Sequence, residues 1–168
     1  NPLEKSALPP YIIIRDKFKE HYVRNKICFC KRNSWLTGNT HRRGGGGNFP
    51  RNVSISPLSG VDKEEVFYVT PYANAVNKHF MSKITTYNLP RKLKVSFSSS
   101  KKDSGNSQVA DLGFMAVNEN DKNLFKVYLT GGLGKNSAKA IEFDTLVEPK
   151  DVLYHVEAMT NFFMAEGD

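Results

Sequence analysis

The residues best suited to chemistry in this chain are Leu89-Pro90-Arg91-Lys92-Leu93-Lys94. In a strand, successive side chains point to opposite faces, so Lys92 and Lys94 share one face with Cα atoms ~6.5 Å apart. Leu93 and Val95 then point the other way, into a core. Two ammonium groups aimed at one spot repel each other unless an anion or a polyanionic cofactor sits between them. The plain alternative is an exposed basic edge strand, where lysines discourage aggregation. A second cationic segment lies upstream: Arg43-Gly44-Gly45-Gly46-Gly47-Asn48-Phe49-Pro50-Arg51-Asn52-Val53. Its glycines let backbone approach a flat ligand closely, or let amide N–H groups ring an anion. Asn48, Arg51 and Asn52 follow at once, which favours a ligand over a floppy loop. The run is not a nucleotide P-loop, because no Gly-Lys-[Ser/Thr] follows it. Gly131-Gly132-Leu133-Gly134-Lys135 fails the same test, since position 136 is Asn and position 129 is Leu. It is either a turn gripping a cofactor edge or a structural turn.

These residues need elements to hold them. Residues 1–10 carry three prolines and read as an irregular arm. Ile12 to Ile14 suggests a strand and Asp16 to Ile27 a basic helix, and the polar, Gly-rich residues 31–50 a loop. Thr70-Pro71 is a helix start, with Thr as cap and Pro at the first helical position. That helix runs to about Lys83 with Tyr72, Val76 and Phe80 on one face. Arg91 to Phe97 reads as a strand and Ser98 to Ser107 as a polar loop. Val109–Val117 and Leu124–Leu129 read as a hairpin turning at Asn118–Asn123, and Ile141–Val147 as a short strand. Pro149-Lys150-Asp151 opens a helix with the apolar stripe Val152, Val156, Met159 and Phe163. Helix, three strands, helix implies an α+β domain, its helices packed on a mostly antiparallel sheet.

The chain has 168 residues, enough for one domain with its own core. Its 39% apolar and 24% charged residues are those of a soluble globular protein. A net charge of +7 asks for a negatively charged partner. Nucleic acid is the default, and a small anion or carboxylate-rich cofactor is the rival. Aromatics do not interleave with the basic runs as in single-strand binders, which disfavours nucleic acid. No apolar run approaches about 18 residues, so no membrane span is expected, and the start lacks the pattern of a signal peptide. Cys28 and Cys30 make a poor disulfide pair and are too few for a zinc or iron–sulfur site. They read as reduced thiols of a cytoplasmic protein. His21, His41, His79 and His155 have no metal-ligand spacing, so no metal site is expected.

Several ordered motifs then converge. Residues 43–53 are followed by Pro-Leu-Ser-Gly-Val-Asp (57–62), Val-Thr-Pro-Tyr-Ala (69–73) and Leu-Pro-Arg-Lys-Leu-Lys (89–94). Asp-Leu-Gly-Phe (111–114) and Phe-Lys-Val-Tyr-Leu-Thr-Gly-Gly-Leu-Gly (125–134) complete the series. This pattern resembles the sirohaem-containing nitrite and sulfite reductases over about residues 43–168, in their first, substrate-side half. The resemblance implies the haemoprotein-like fold of that family. It also implies an oxidoreductase in which sirohaem bridged to a [4Fe–4S] cluster reduces sulfite to sulfide or nitrite to ammonia by six electrons. Carried over, Arg51, Lys92 and Lys94 bind the substrate anion and supply protons. Asn48 and Arg91 contact sirohaem carboxylates, and Gly46, Gly47, Asn52, Gly131, Gly132 and Gly134 line the cofactor. The implied partners are the anion, a cluster-bearing second half, and an electron donor such as ferredoxin or a flavoprotein.

Two departures accompany the resemblance. Residues 1–42 fall outside it, with a remnant of a ferredoxin-like half-domain as their candidate identity. The four cluster cysteines of the family, spaced C-x5-C and C-x3-C, are absent, so the isolated chain is expected to hold no cluster and to be inactive alone. A non-catalytic structural half-domain and a basic nucleic-acid-binding module are the competing functions. The latter predicts affinity falling steeply with salt.

Overall fold

The computed structural model describes residues 48–51, 53–83, 88–134 and 137–167. The expected strand at Ile12–Ile14, the basic helix at Asp16–Ile27, Cys28, Cys30, Gly46, Gly47 and Asn52 lie outside them.

Five strands form one sheet in chain order: β1 (Ser54–Ile55), β2 (Val95–Ser98), β3 (Leu112–Glu119), β4 (Lys122–Leu129) and β5 (Ile141–Glu142). Helix α1 (Thr70–Ser82) lies between β1 and β2, and α2 (Val152–Glu166) follows the last strand. The class is α+β, as expected, but the sheet is mixed. β1–β2 and β2–β3 are parallel, whereas β3–β4 and β4–β5 are antiparallel. A parallel pair needs a long crossover. Here α1 supplies the first, and residues 99–111, with a 3-10 turn at Ser107–Val109, supply the second.

Alternation along the strands sets the core. Leu93, Val95, Phe97, Leu112, Phe114, Phe125 and Val127 are buried in one cluster with Val76 and Phe80 of α1 and Val152 and Val156 of α2. Phe125 is its hub, edge-on to Phe97 and Phe114 at 5.7 Å each, to Tyr72 at 5.3 Å and to Phe67 at 5.1 Å. Such edge-to-face pairs each add roughly 0.5–1.5 kcal/mol to area burial. The predicted stripes of both helices therefore meet the sheet. The α1 cap differs from expectation. Val69 occupies the cap position without a side-chain bond, and Thr70 is already helical. The β3–β4 hairpin turns at Asn120 and Asp121, both at positive φ (51° and 60°), with Glu119 opposite Lys122. Asn and Asp tolerate that left-handed region, and its twist matches the strands.

The opposite face is covered by the crossover 99–111, and here the expected polar loop buries several of its serines. Ser98, Ser99, Ser100 and Ser107 are all fully buried. Asp103 holds Ser98 and Ser107, while Ser100 Oγ donates to Asp62 Oδ2 at 3.2 Å. Asp103 Oδ1 accepts bonds from Ser98 Oγ (2.5 Å), Ser107 Oγ (2.6 Å) and Ser107 N (2.7 Å), and its Oδ2 from Gln108 N (3.0 Å). Burial alone would raise the Asp103 pKa, but these bonds outweigh it and hold the carboxyl below its usual value. Ser96 Oγ donates to the Gly105 carbonyl, and Ser56 Oγ accepts from Ser99 N at 3.0 Å. Two glycines let the loop lie flat: a Cβ on Gly113 or Gly105 would stand well under 3.0 Å from the Ser107 or Phe97 carbonyl oxygen, respectively.

Candidate anion-binding site

The two cationic segments distant in sequence are neighbours in space. Pro50 bridges Leu93 in parallel, Arg51 N donates to Leu93 O at 2.7 Å, and Asn48 Nδ2 donates to Pro90 O at 2.6 Å. Between the Pro50–Leu93 and Ser54–Ser96 pairs, one strand advances four residues and the other three. An extra residue of this kind acts as a bulge, which re-aims side chains at a sheet rim. Sequence reasoning missed it, because register is invisible until both strands are paired. The expected alternation holds: Leu93 and Val95 are buried while Arg91, Lys92 and Lys94 are exposed. Regular β2 begins only at Val95, so the cations sit on the segment entering the strand rather than within the ladder.

Pairing then links this rim to the Gly131 loop. Leu112 N donates to Lys94 O at 3.1 Å, Thr130 N to Asp111 O at 2.9 Å and Gly131 N to Ala110 O at 3.0 Å. Arg51, Lys92, Lys94, Asp111 and Gly131 thus line one end of the sheet. The glycines divide. A Cβ at Gly131 would lie 2.6 Å from the Ala110 carbonyl oxygen, so chain packing itself demands glycine there. A Cβ at Gly132 or Gly134 would meet nothing within 4 Å, which leaves open approach for a ligand.

The two lysines are not equivalent. Lys94 has an internal partner: Asp111 Oδ2 accepts the Lys94 N–H at 2.6 Å, and Asp111 Oδ1 lies 3.7 Å from the Lys94 ammonium. Burial raises the Asp111 pKa above its usual value, more than Lys94 lowers it. Arg91 and Lys92 have no ion pair among the described residues, so their charges face solvent. Sequence reasoning placed Asp111 only inside a motif. The one signal in the sequence is an acid immediately before the apolar stretch 112–117.

The nitrite and sulphite reductase 4Fe-4S domain family matches residues 46–168. The chain belongs to that family. A ferredoxin–nitrite reductase from Leptolyngbya laminosa is 25% identical over 123 residues, covering 70% of this chain and 24% of its own. The solved NirA protein of Mycobacterium tuberculosis aligns with a TM-score of 0.63 at 27% identity, covering 70% of this chain and 21% of its own. The chain therefore spans about a quarter of the length of these relatives. Domain membership and the α+β fold are shared with them. Among the described residues, no helix is long and apolar enough to cross a membrane.

Proposed function

We propose that residues 43–168 form the sirohaem- and substrate-binding part of a nitrite/sulfite reductase, with residues 1–42 as a separate leading segment. The observation that carries this reading is the convergence of Asn48–Arg51, Arg91–Lys94 and the Gly131 loop on one sheet end. The donor set fits sirohaem. Its carboxylates need several cations and amide donors, and Arg91 and Lys92 stand exposed without an internal ion pair among the described residues. Gly132 and Gly134 leave room for a flat group. Arg91 and Asn48, with Gly46, Gly47 and Asn52, would hold the carboxylates. Sirohaem, when bound, supplies the redox chemistry of the anion's reduction.

The chain's own residues bind and protonate. Arg51, Lys92 and Lys94 attract the anion, and both lysines hold protons at Nζ where reduction consumes them. The donors do not fit a [4Fe–4S] cluster. Such a cluster takes four thiolates, and residues 46–168 contain no cysteine. Among the described residues, no group of three or more His, Cys, Asp and Glu could hold a metal ion. Cluster and electrons would come from a cluster-bearing second half, served by ferredoxin as the name of the Leptolyngbya relative suggests, or by a flavoprotein. Nitrite or sulfite is the anion, and the compartment is cytoplasmic.

Titrating sirohaem into the 168-residue chain tests the reading. Saturable binding with a shifted Soret band is expected, from the chain alone or with the cluster-bearing half added. No binding in either case would overturn the assignment and favour a structural half-domain.

A further inference from the structure

Lys92 and Lys94 share a face, yet among the described residues only Lys94 has a carboxylate beneath it. Asp111 is four-fifths buried, with 19% of its side chain exposed, and it touches Lys94 twice. Its Oδ2 takes the backbone N–H at 2.6 Å. Its Oδ1 stands 3.7 Å from an ammonium that is itself half exposed. That separation exceeds the roughly 2.7–2.9 Å of a direct charge-assisted bond. The ammonium is therefore tethered by Coulomb attraction while its N–H donors remain available. The Asp111 carbonyl accepts Thr130 N at 2.9 Å, so the tether is anchored between β2 and β4.

We propose that Asp111 is a positioning residue that divides the work of the lysine segment. Lys92 presents the free charge that meets the anion. Lys94 stands behind it with its charge balanced and its ammonium placed by Asp111. This rests on the anion-site reading above and refines it, because that reading gave both lysines one role.

Two arguments support the division. First, an unbalanced second ammonium beside Lys92 would be repelled in the empty site, and Asp111 removes that repulsion without removing the proton donor. Second, stability alone does not call for a carboxylate there. Burial disfavours the charged form enough to raise its pKa despite the lysine. An asparagine oxygen would satisfy the same backbone N–H without that penalty. Lys94 is the charged group that acts on Asp111 among the described residues.

The test uses the full chain with carbon-13 carboxyl NMR. Asp111 is expected to titrate above the usual aspartate range. Lys94→Ala moves that midpoint further up, because an opposing charge is lost, while Lys92→Ala leaves it in place. Equal effects of the two substitutions, or none from Lys94→Ala, would overturn the proposal. Nitrite titrated into the same samples supplies the functional arm. Lys92→Ala weakens nitrite binding about tenfold. Asp111→Asn keeps the acceptor for Lys94 N–H and tightens binding about threefold, since the Lys94 charge is no longer balanced. Unchanged or weaker binding in Asp111→Asn overturns the division. If neither wild type nor variants bind nitrite, the anion-site reading fails, and the tether is judged by the Asp111 titration alone.

Discussion

Asp103→Asn is the substitution whose cost can be worked out most directly from the structure. Asp103 lies in the left-handed region at φ 51°, which asparagine adopts readily, so the backbone is not disturbed. Its two oxygens accept four bonds, three on Oδ1 and one on Oδ2. With the amide oxygen in the Oδ1 position, three bonds survive on a neutral acceptor. The amide NH2 then faces the Gln108 N–H, donor against donor. The flipped amide fares no better, since it sets NH2 against the Ser107 N–H and obliges both serine hydroxyls to turn from donors to acceptors. One lost bond to a charged acceptor costs about 1.5–3 kcal/mol, and the remaining three weaken with loss of charge. The expected destabilisation is ~2–4 kcal/mol at pH 7. Urea unfolding followed by far-UV circular dichroism measures it.

The pH dependence fixes the cause. The folded-state pKa of Asp103 is lowered from 3.8. Its charge therefore contributes stability that is fully present above the unfolded value and lost as pH falls through the folded one. The gap between wild type and Asp103→Asn should narrow as pH falls below 4. A loss under about 0.5 kcal/mol at pH 7, or one that does not narrow with acid, would refute the reasoning. The loop matters to the site because it ends at Asp111, so loosening it also loosens the Lys94 tether.

Gly113→Ala should cost about 3 kcal/mol or more, because its Cβ would overlap the Ser107 carbonyl oxygen and backbone cannot yield cheaply; thermal unfolding within a degree of wild type would contradict this. Glu157→Gln should cost only about 0.5–1 kcal/mol. It joins α2 to Lys83 and His79 at 2.7 Å each, but a third of its side chain is exposed. Bonding to Lys83, then His79, lowers the Glu157 pKa below 4.5, so its contribution is present above that pH and fades as acid reaches the lowered value. A urea midpoint difference that persists unchanged through that range would contradict the assignment. In the complete reductase, Lys92→Ala should lower kcat/KM about 100-fold with the cofactor spectrum unaltered; wild-type turnover would remove Lys92 from the site.

Periodicity made the apolar half of this fold legible. The α1 and α2 stripes and the β3–β4 hairpin each declare a face that must be buried, and the structure buries them together. The alternation of Lys92, Leu93, Lys94 and Val95 was legible for the same reason. Three features were not. The parallel pairing of β2 with β3 depends on a crossover that contains no helix longer than a 3-10 turn, and its serines read only as a polar loop. For Ser98 and Ser107 the polar cost of burial is offset by Asp103, and for Ser100 by Asp62. The extra residue between Pro50 and Ser54 follows from register, and the Asp111 tether from a contact across 17 positions.

The two faces of the sheet give a reason for the placement of the proposed site. The helix face is closed by aromatic packing and has little freedom to change. The other face is built largely from serines, glycines and a carboxylate, with only a small apolar cluster of Met115, Tyr128 and Ala140. Along most of β2 the crossover closes that face, but it ends at Asp111, one residue short of the strand. The rim beyond it holds Arg91, Lys92 and Lys94 in solvent, with only one of the three balanced by an acid among the described residues. A fold selected for stability alone would neutralise that rim or move the largely buried carboxylate into water. Charges kept unpaired at the edge of a polar layer, over a carboxyl whose pKa burial has raised, are the signature expected where an anion completes the balance.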